Sequence, residues 1–337
     1  MTYSTIATTN EGDSQTPQFK VKIQNQQLSY PISVLIDEDL TAPNMFEIVL
    51  TNWDEQKSEW KESDLLELGN EVEIFMGYRK NMKKLMLGEL TGIEPDFKLG
   101  EVPRLTIRGY DYSYPLLKGE KTRTFTDITD SDIASKIAKE YGLRYKGEQT
   151  EIELDYVLQH NQTDWEFLLT RAARIGYVVY VREKDLYFHR LKRTEEPTVT
   201  LEQSRDNLNF YCRLSSLTQV KKIEVSGWKQ EKKKAFVVGQ PQSHAGPKDP
   251  VVRLLHPVIN SDQATQIARG QSEKMALSYI SGEITCIGRT DLQAGMTVNI
   301  QDVGKQFNGI YYITTVTHTY NSIRGYRTAL TVRRNAT

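Results

Sequence analysis

The sequence predicts a mainly β protein with an α+β insert, in which two related β-barrels flank a small α/β domain. Three observations carry that expectation. Apolar and polar residues alternate in short runs at both ends of the chain, the period of half-buried strands. Between residues 118 and 200 the period changes to that of amphipathic helices opening on capping residues. The strand-like runs of the C-terminal part repeat those of the N-terminal part in the same order, which points to a duplicated unit. A chain of 337 residues has room for two or three domains rather than a single core.

Taken in order, residues 1–17 are rich in Thr, Ser, Asn and Gln and read as a polar N-terminal arm. The first barrel is expected over 18–117. Segments 19–23, 32–36 and 46–50 alternate strictly, and 72–75, 84–90 and 104–108 follow between polar breaks. Segment 85–90 has no proline and no inward charge, so it is expected to be an edge open to pairing. The middle domain is expected over 118–200. There Thr129 and Asp132 read as a capping box for a helix with Ile133, Ile137 and Tyr141 on its apolar side, stopped by Gly142. Thr163 and Glu166 open a second helix, stopped by Gly176, with Trp165, Leu168, Leu169 and Ala172 on one face and Trp165 as core anchor. Segments 177–181 and 186–189 then form a hairpin.

The second barrel is expected over 201–337, with one inserted helix around 261–279. Its strands are 220–225, 235–238, 282–287, 296–300, 310–316 and 328–332. Residues 229–249 are rich in Lys, Gln, Gly and Pro and read as an exposed loop around one short strand, ordered, like the arm, by partners. The repeat aligns 72–74 with 298–300, Gly88 with Gly309, 90–93 with 313–316, and 105–108 with 330–333.

Chemical signatures are scarce. With 43 basic and 44 acidic residues the net charge is -1, which gives no global field for nucleic acid or an anionic membrane. No apolar run approaches the ~20 residues of a membrane span, and the N-terminus lacks the basic start and apolar stretch of a signal peptide. Cys212 and Cys286 lie in strand-like contexts and read as free, buried thiols. Five histidines lack metal-ligand spacing, and no phosphate loop or nucleophile elbow is present. No catalytic, cofactor or metal site is therefore expected. The candidate interface residues are basic: Arg79, Lys80, Lys83 and Lys84 on one hairpin, and Lys229, Lys232, Lys233 and Lys234 on another, read as rim charges facing an acidic partner.

Three groups of residues resemble a known family. They are 105–111 (LTIRGYD) with 121–125 and 131–134, then 159–168 (QHNQTDWEFL) with Ala172, Gly176 and Tyr177, then 282–288, 307–314 (FNGIYYIT), 318–320 and 325–328. In this order, over about residues 19–334, they resemble the phage late control gene D family. That family comprises tail-hub proteins of contractile phages and related injection machines, including the N-terminal hub part of VgrG spikes. The resemblance implies two tail-tube-like barrels around an α/β region, with three copies forming a pseudo-six-fold ring between a six-fold inner tube and a three-fold spike. It implies as partners the protein itself, a separate spike protein, inner-tube or tube-initiator proteins and baseplate wedge proteins, with no nucleic-acid specificity and no membrane insertion. It also implies no cofactor, and assembly in the bacterial cytoplasm into a phage tail or injection-system baseplate. A hub-associated cell-wall-degrading enzyme and a receptor- or carbohydrate-binding tail module are the alternatives.

Overall fold

A computed structural model describes residues 16–79, 81–191, 197, 199–229, 234–241, 250–256, 258 and 260–335. The N-terminal part forms β1 (Pro17–Ile23), β2 (Gln26–Gln27), β3 (Pro31–Asp39), β4 (Met45–Leu50), β5 (Trp53–Asp54), β6 (Glu59–Trp60), β7 (Glu71–Tyr78), β8 (Asn81–Asp96) and β9 (Arg104–Tyr110). Alternation drives their folding: Val34 and Ile36 on β3, and Phe46, Ile48 and Leu50 on β4, point into one core while their neighbours stay half-exposed. Strand β8 pairs with β7 along Asn81–Glu89 and with β9 along Glu89–Asp96. Within segment 85–90, Met86–Gly88 pair with β7 alone and β9 joins only at Glu89 and Leu90, so among the described residues the other side of 86–88 carries no strand.

The middle module comprises β10 (Lys121–Ile128), α1 (Asp130–Glu140), β11 (Arg144–Gly147), β12 (Leu154–Gln162), α2 (Asp164–Ile175), β13 (Tyr177–Arg182) and β14 (Asp185–Arg190). The two helices and two small sheets bury a separate core around Trp165, Leu168, Ile133 and Phe188. Phe167, on the flank of the expected α2 face, is buried too, and it stacks on Phe125. Gly176 ends α2 with φ +75°, a conformation that suits glycine.

The C-terminal part contains β15 (Val199–Glu202), β16 (Asn209–Leu214), β17 (Lys222–Lys229), β18 (Lys234–Pro241), β19 (Val251–Leu255), α3 (Ser261–Ala276), β20 (Ile280–Ile287), β21 (Thr297–Gln301), β22 (Gly309–Asn321) and β23 (Gly325–Arg334). The expected long loop is partly a sheet. Backbones of β17 and β18 pair over their whole length, β19 adds in parallel, and α3 covers the sheet with Ala264, Ile267 and Ala268 packed in one cluster with Val225 of β17. Strands were expected at 220–225 and 235–238, and what the Lys-, Gln- and Gly-rich composition hid is their extension to Lys229 and Pro241 and their union in one sheet with β19. Residues 1–15 of the expected arm and 230–233 and 242–249 of the expected loop lie outside the described residues.

The duplication is present in the topology. Strands β3-β4-β9-β8-β7 and β16-β20-β23-β22-β21 occur in the same order in space and along the chain, antiparallel throughout. Strand β3 of the first unit also pairs with β22 of the second, so the two barrel-like units share one 13-stranded sheet.

Each unit carries a bulge at the same place: Thr91 is skipped between the pairs Leu90–Gly109 and Gly92–Arg108, and Thr314 between Ile313–Val332 and Thr315–Thr331. The bulges equate Ile107 with Leu330, so 105–108 matches 328–331 rather than 330–333. A slip by two residues keeps every apolar side chain facing inward, which is why the letters alone misplaced it. Gly88 likewise faces Val72 whereas Val298 faces Tyr311, so the match of Gly88 with Gly309 also fails, while 72–74 with 298–300 holds. Size is exchanged across the repeat, Phe46 facing Gly109 in one unit and Gly282 facing Val332 in the other. A Cβ on Gly109 would come within 2.3 Å of the Phe46 ring, so that glycine makes room for the aromatic side chain.

Candidate functional site: basic hairpins and a buried polar junction

The topology keeps the two basic groups on different sheets. Arg79 and Lys83 are exposed at the β7–β8 turn, the backbone N–H of Arg79 reaching the Thr16 carbonyl at 3.3 Å. Lys84 is half-buried and pairs with Glu183 at 3.0 Å and Glu73 at 3.4 Å, so it ties the hairpin to the middle module. Burial alone would lower its ammonium pKa, but the two carboxylates outweigh that and raise it. The backbones of Lys229 and Lys234 close the β17–β18 ladder. Lys80, Lys232 and Lys233 lie outside the described residues.

Among the described residues no group of three His, Cys, Asp or Glu side chains could hold a metal ion, and no helix is long and apolar enough to cross a membrane. Burial pushes the Cys286 thiol up to about 12 and raises that of Cys212, which makes both poor nucleophiles.

A polar cluster that sequence reasoning missed joins all three parts of the chain. Glu38 points inward from β3 in phase with Val34 and Ile36 and is 5% exposed. Its carboxylate accepts the Ala294 N–H at 3.0 Å, and the Arg182 guanidinium donates to the Ala294 carbonyl at 3.2 Å. Asp111, buried just after β9, accepts N–H bonds from Ser113 at 2.9 Å and Asn44 at 3.4 Å, and the Asn44 amide donates to the Val181 carbonyl. The first unit (Glu38, Asn44, Asp111), the middle module (Val181, Arg182) and the second unit (Ala294) thus share one network. It borders a cavity of about 210 Å³ that Lys84 and Gln293 also line.

Burial pushes the Glu38 carboxyl up to about 7 against the pull of Arg182 and the Ala294 N–H, and Asp111 and Asp37 raise it further. Burial likewise pushes Asp111 up to about 6, against its bonds from Ser113 and Asn44. A carboxyl raised in the folded state contributes stability that is complete below its ordinary value and lost as pH rises through its folded value. His318 has the opposite sense. Burial lowers it to about 4, so its contribution is present above its ordinary 6.5 and lost as pH falls through 4. For Glu38 a change from 4.5 to about 7 corresponds to a loss on the order of 3 kcal/mol. Glu38→Gln keeps an acceptor for Ala294 without the charge. Between pH 4.5 and 8 its unfolding free energy is expected to gain on that of the unsubstituted protein by this amount, whatever His318 does to both. Parallel stability–pH curves would show that Glu38 ionises freely in the fold.

Comparison with known proteins agrees with this architecture. A family model described as Alg8 N-terminal domain matches residues 13–247 and 252–322. No curated protein matches the sequence. The 43 kDa tail protein of prophage MuSo2 from Shewanella oneidensis superposes with a TM-score of 0.74 at 14% identity, over 95% of this chain and 98% of that one. A tail protein from Neisseria meningitidis MC58 gives 0.74 at 15% identity, over 95% of this chain and 97% of that one. An Escherichia coli component of the type VI secretion system, described as structurally similar to the bacteriophage T4 tail proteins gp27 and gp5, gives 0.67 at 15% identity, over 94% and 77%. At these identities the likeness is one of fold, a mainly β fold shared with phage tail proteins. The family model spans nearly the whole chain, and the protein belongs to the family described as the Alg8 N-terminal domain.

Proposed function

We propose that the protein is the structural baseplate hub of a contractile tail or injection machine, three copies forming a pseudo-six-fold ring that joins a six-fold inner tube to a three-fold spike. The observation that carries this reading is the duplicated five-strand unit: each chain supplies two similar units, so three chains supply six. The solved proteins of the same fold are tail proteins and a secretion-system component, which supports a structural rather than a catalytic part. In this reading the ring assembles in the bacterial cytoplasm, one face meets inner-tube or tube-initiator proteins, and the other meets a separate spike protein. The exposed Arg79 and Lys83 hairpin faces baseplate wedge proteins. Light scattering on the purified protein is expected to give three times the 38.7 kDa chain mass alone, and that mass plus the bound spike when the spike protein is present. A stable monomer at micromolar concentration under both conditions would overturn the hub reading.

A further inference from the structure

The chain already makes one joint between its two units, and the repeat supplies a second copy of each half of that joint. Inside the chain, β3 lies antiparallel on the distal part of β22, from Asp39 opposite Thr315 to Ser33 opposite Asn321. The Thr317 hydroxyl donates to the Asp37 carboxylate across it at 2.6 Å. The bulges equate Thr314 with Thr91, so the β22 edge 315–321 corresponds to residues 92–98 at the end of β8 and just beyond. Cross-strand partners carry the equivalence onward: Ile107 faces Ile48, which faces Val34, while Leu330 faces Ile284, which faces Phe210. Strand β16 is therefore the counterpart of β3, with Phe210 at the place of Val34 and Arg213 at the place of Asp37.

Both counterpart edges are open. Among the described residues β16 pairs only with β20, and β8 beyond Glu89 pairs only with β9. They also expose apolar side chains more than their counterparts do: Tyr211 is 73% and Phe97 57% exposed, whereas Leu35 and Tyr320, at the corresponding places, are half-buried.

We propose that copies of this chain join through β16 of one lying antiparallel on the 92–98 edge of β8 of the next, in the register of the internal β3–β22 joint. This deepens the ring reading and rests on it. The transferred register places Arg213 opposite Glu94, Leu214 opposite Ile93 and Phe210 opposite Phe97. The internal hydroxyl–carboxylate contact is thereby replaced by an opposite-charge pair, and two apolar pairs flank it. Glu94 is held out on β9's side by Arg108 at 2.7 Å and so carries a second guanidinium at the joint. Pro95 has no N–H to give and falls opposite Cys212. A proline is tolerated on an open edge and discourages unspecific strand addition there. Sheet pairing then runs unbroken from copy to copy, each unit meeting the next through the same kind of strand pair.

Cysteine pairing tests both the partner and the register. In a Cys212→Ala background, Glu94→Cys with Arg213→Cys is expected to form disulfides on mild oxidation, giving dimer and trimer bands that end at trimer on non-reducing gels. Asp96→Cys with Arg213→Cys, two residues out of register, is expected to cross-link far less. Charge reversal gives an independent reading. Glu94→Arg or Arg213→Glu alone is expected to weaken association on the order of tenfold, three joints contributing to one ring, and the two together to restore it. A trimer by mass that fails to cross-link at 94–213 and ignores both reversals overturns this joint and leaves the ring standing. A protein that is monomeric and never cross-links overturns both.

Discussion

Trp165→Ala is expected to lower stability by about 3–5 kcal/mol, the cost of truncating a large aromatic in a core. The side chain is 2% exposed and sits where α2 meets the sheets of the middle module. Its indole N–H also donates to the Thr41 carbonyl at 3.3 Å, beyond the end of β3 in the first unit. Truncation therefore opens a cavity in one core and cuts a bond between two parts of the chain. Trp165→Phe separates the effects, keeping most of the apolar volume while losing a hydrogen bond worth about 1 kcal/mol. Chemical denaturation followed by far-ultraviolet circular dichroism reads the loss, and amide exchange in α2 locates it. Unchanged exchange protection in α2 after Trp165→Ala would mean that the module does not depend on this residue.

Asp164→Ala is expected to cost as much, for an electrostatic reason. The carboxylate is fully buried at the first turn of α2 and accepts bonds from Lys121 at 2.6 Å, Arg123 at 2.6 Å, Tyr141 at 2.8 Å and Gln159 at 2.9 Å. These partners come from β10, the end of α1 and β12, so one side chain gathers three elements around a helix N-terminus that itself favours negative charge. Burial alone would raise its pKa, but the bonds from Lys121, Gln159 and Tyr141, with the Arg123 charge, outweigh it and hold the carboxyl below its ordinary value. Removing the carboxylate leaves Lys121 and Arg123 to share Glu140, at 3.7 and 2.7 Å, where two carboxylates had faced them, a loss of about 3–5 kcal/mol as for a broken buried pair. Because the folded pKa is depressed, Asp164 contributes stability above its ordinary 3.8 that is lost as pH falls below it. Asp164→Asn is therefore expected to be less costly than alanine and to lose part of the acid sensitivity. A variant that unfolds at the same denaturant concentration as the unsubstituted protein at pH 7 would refute this role.

Local signals in the sequence were legible where one short segment decides the outcome. The Thr163 and Glu166 box is reciprocal, the Thr163 side chain receiving the Glu166 N–H while Glu166 takes the Thr163 N–H. The Thr129 box is one-sided, because Asp132 takes the Thr129 hydroxyl and not its backbone N–H. Order and direction of the repeated strands were legible too, from alternation alone. Register was not, since shifts by two residues leave that alternation unchanged. Nor were the open edges, which depend on where β7 stops along β8. Glu38 carried a faint signal, its inward phase on β3, but nothing nearby announced that its N–H donor stands at Ala294. The four partners of Asp164 are likewise remote in sequence and meet only in the fold. The basic hairpins were read from charge alone, and that reading could not tell that Lys84 is spoken for by Glu73 and Glu183.

The β3–β22 joint also sets a schedule for synthesis. Asp37 and Thr317, which meet across it, are 280 residues apart. At about 5–20 residues per second, a ribosome needs on the order of tens of seconds to deliver the second after the first. Through that interval β3 leaves the ribosome with one side unpaired, beside nascent copies that carry the same strand and, on the older chains of a polysome, its waiting partner. Closing within the chain must then outrun exchange between chains. Translation speed across the last hundred codons, and any chaperone that shields β3 meanwhile, decide how much of the protein is born correctly joined.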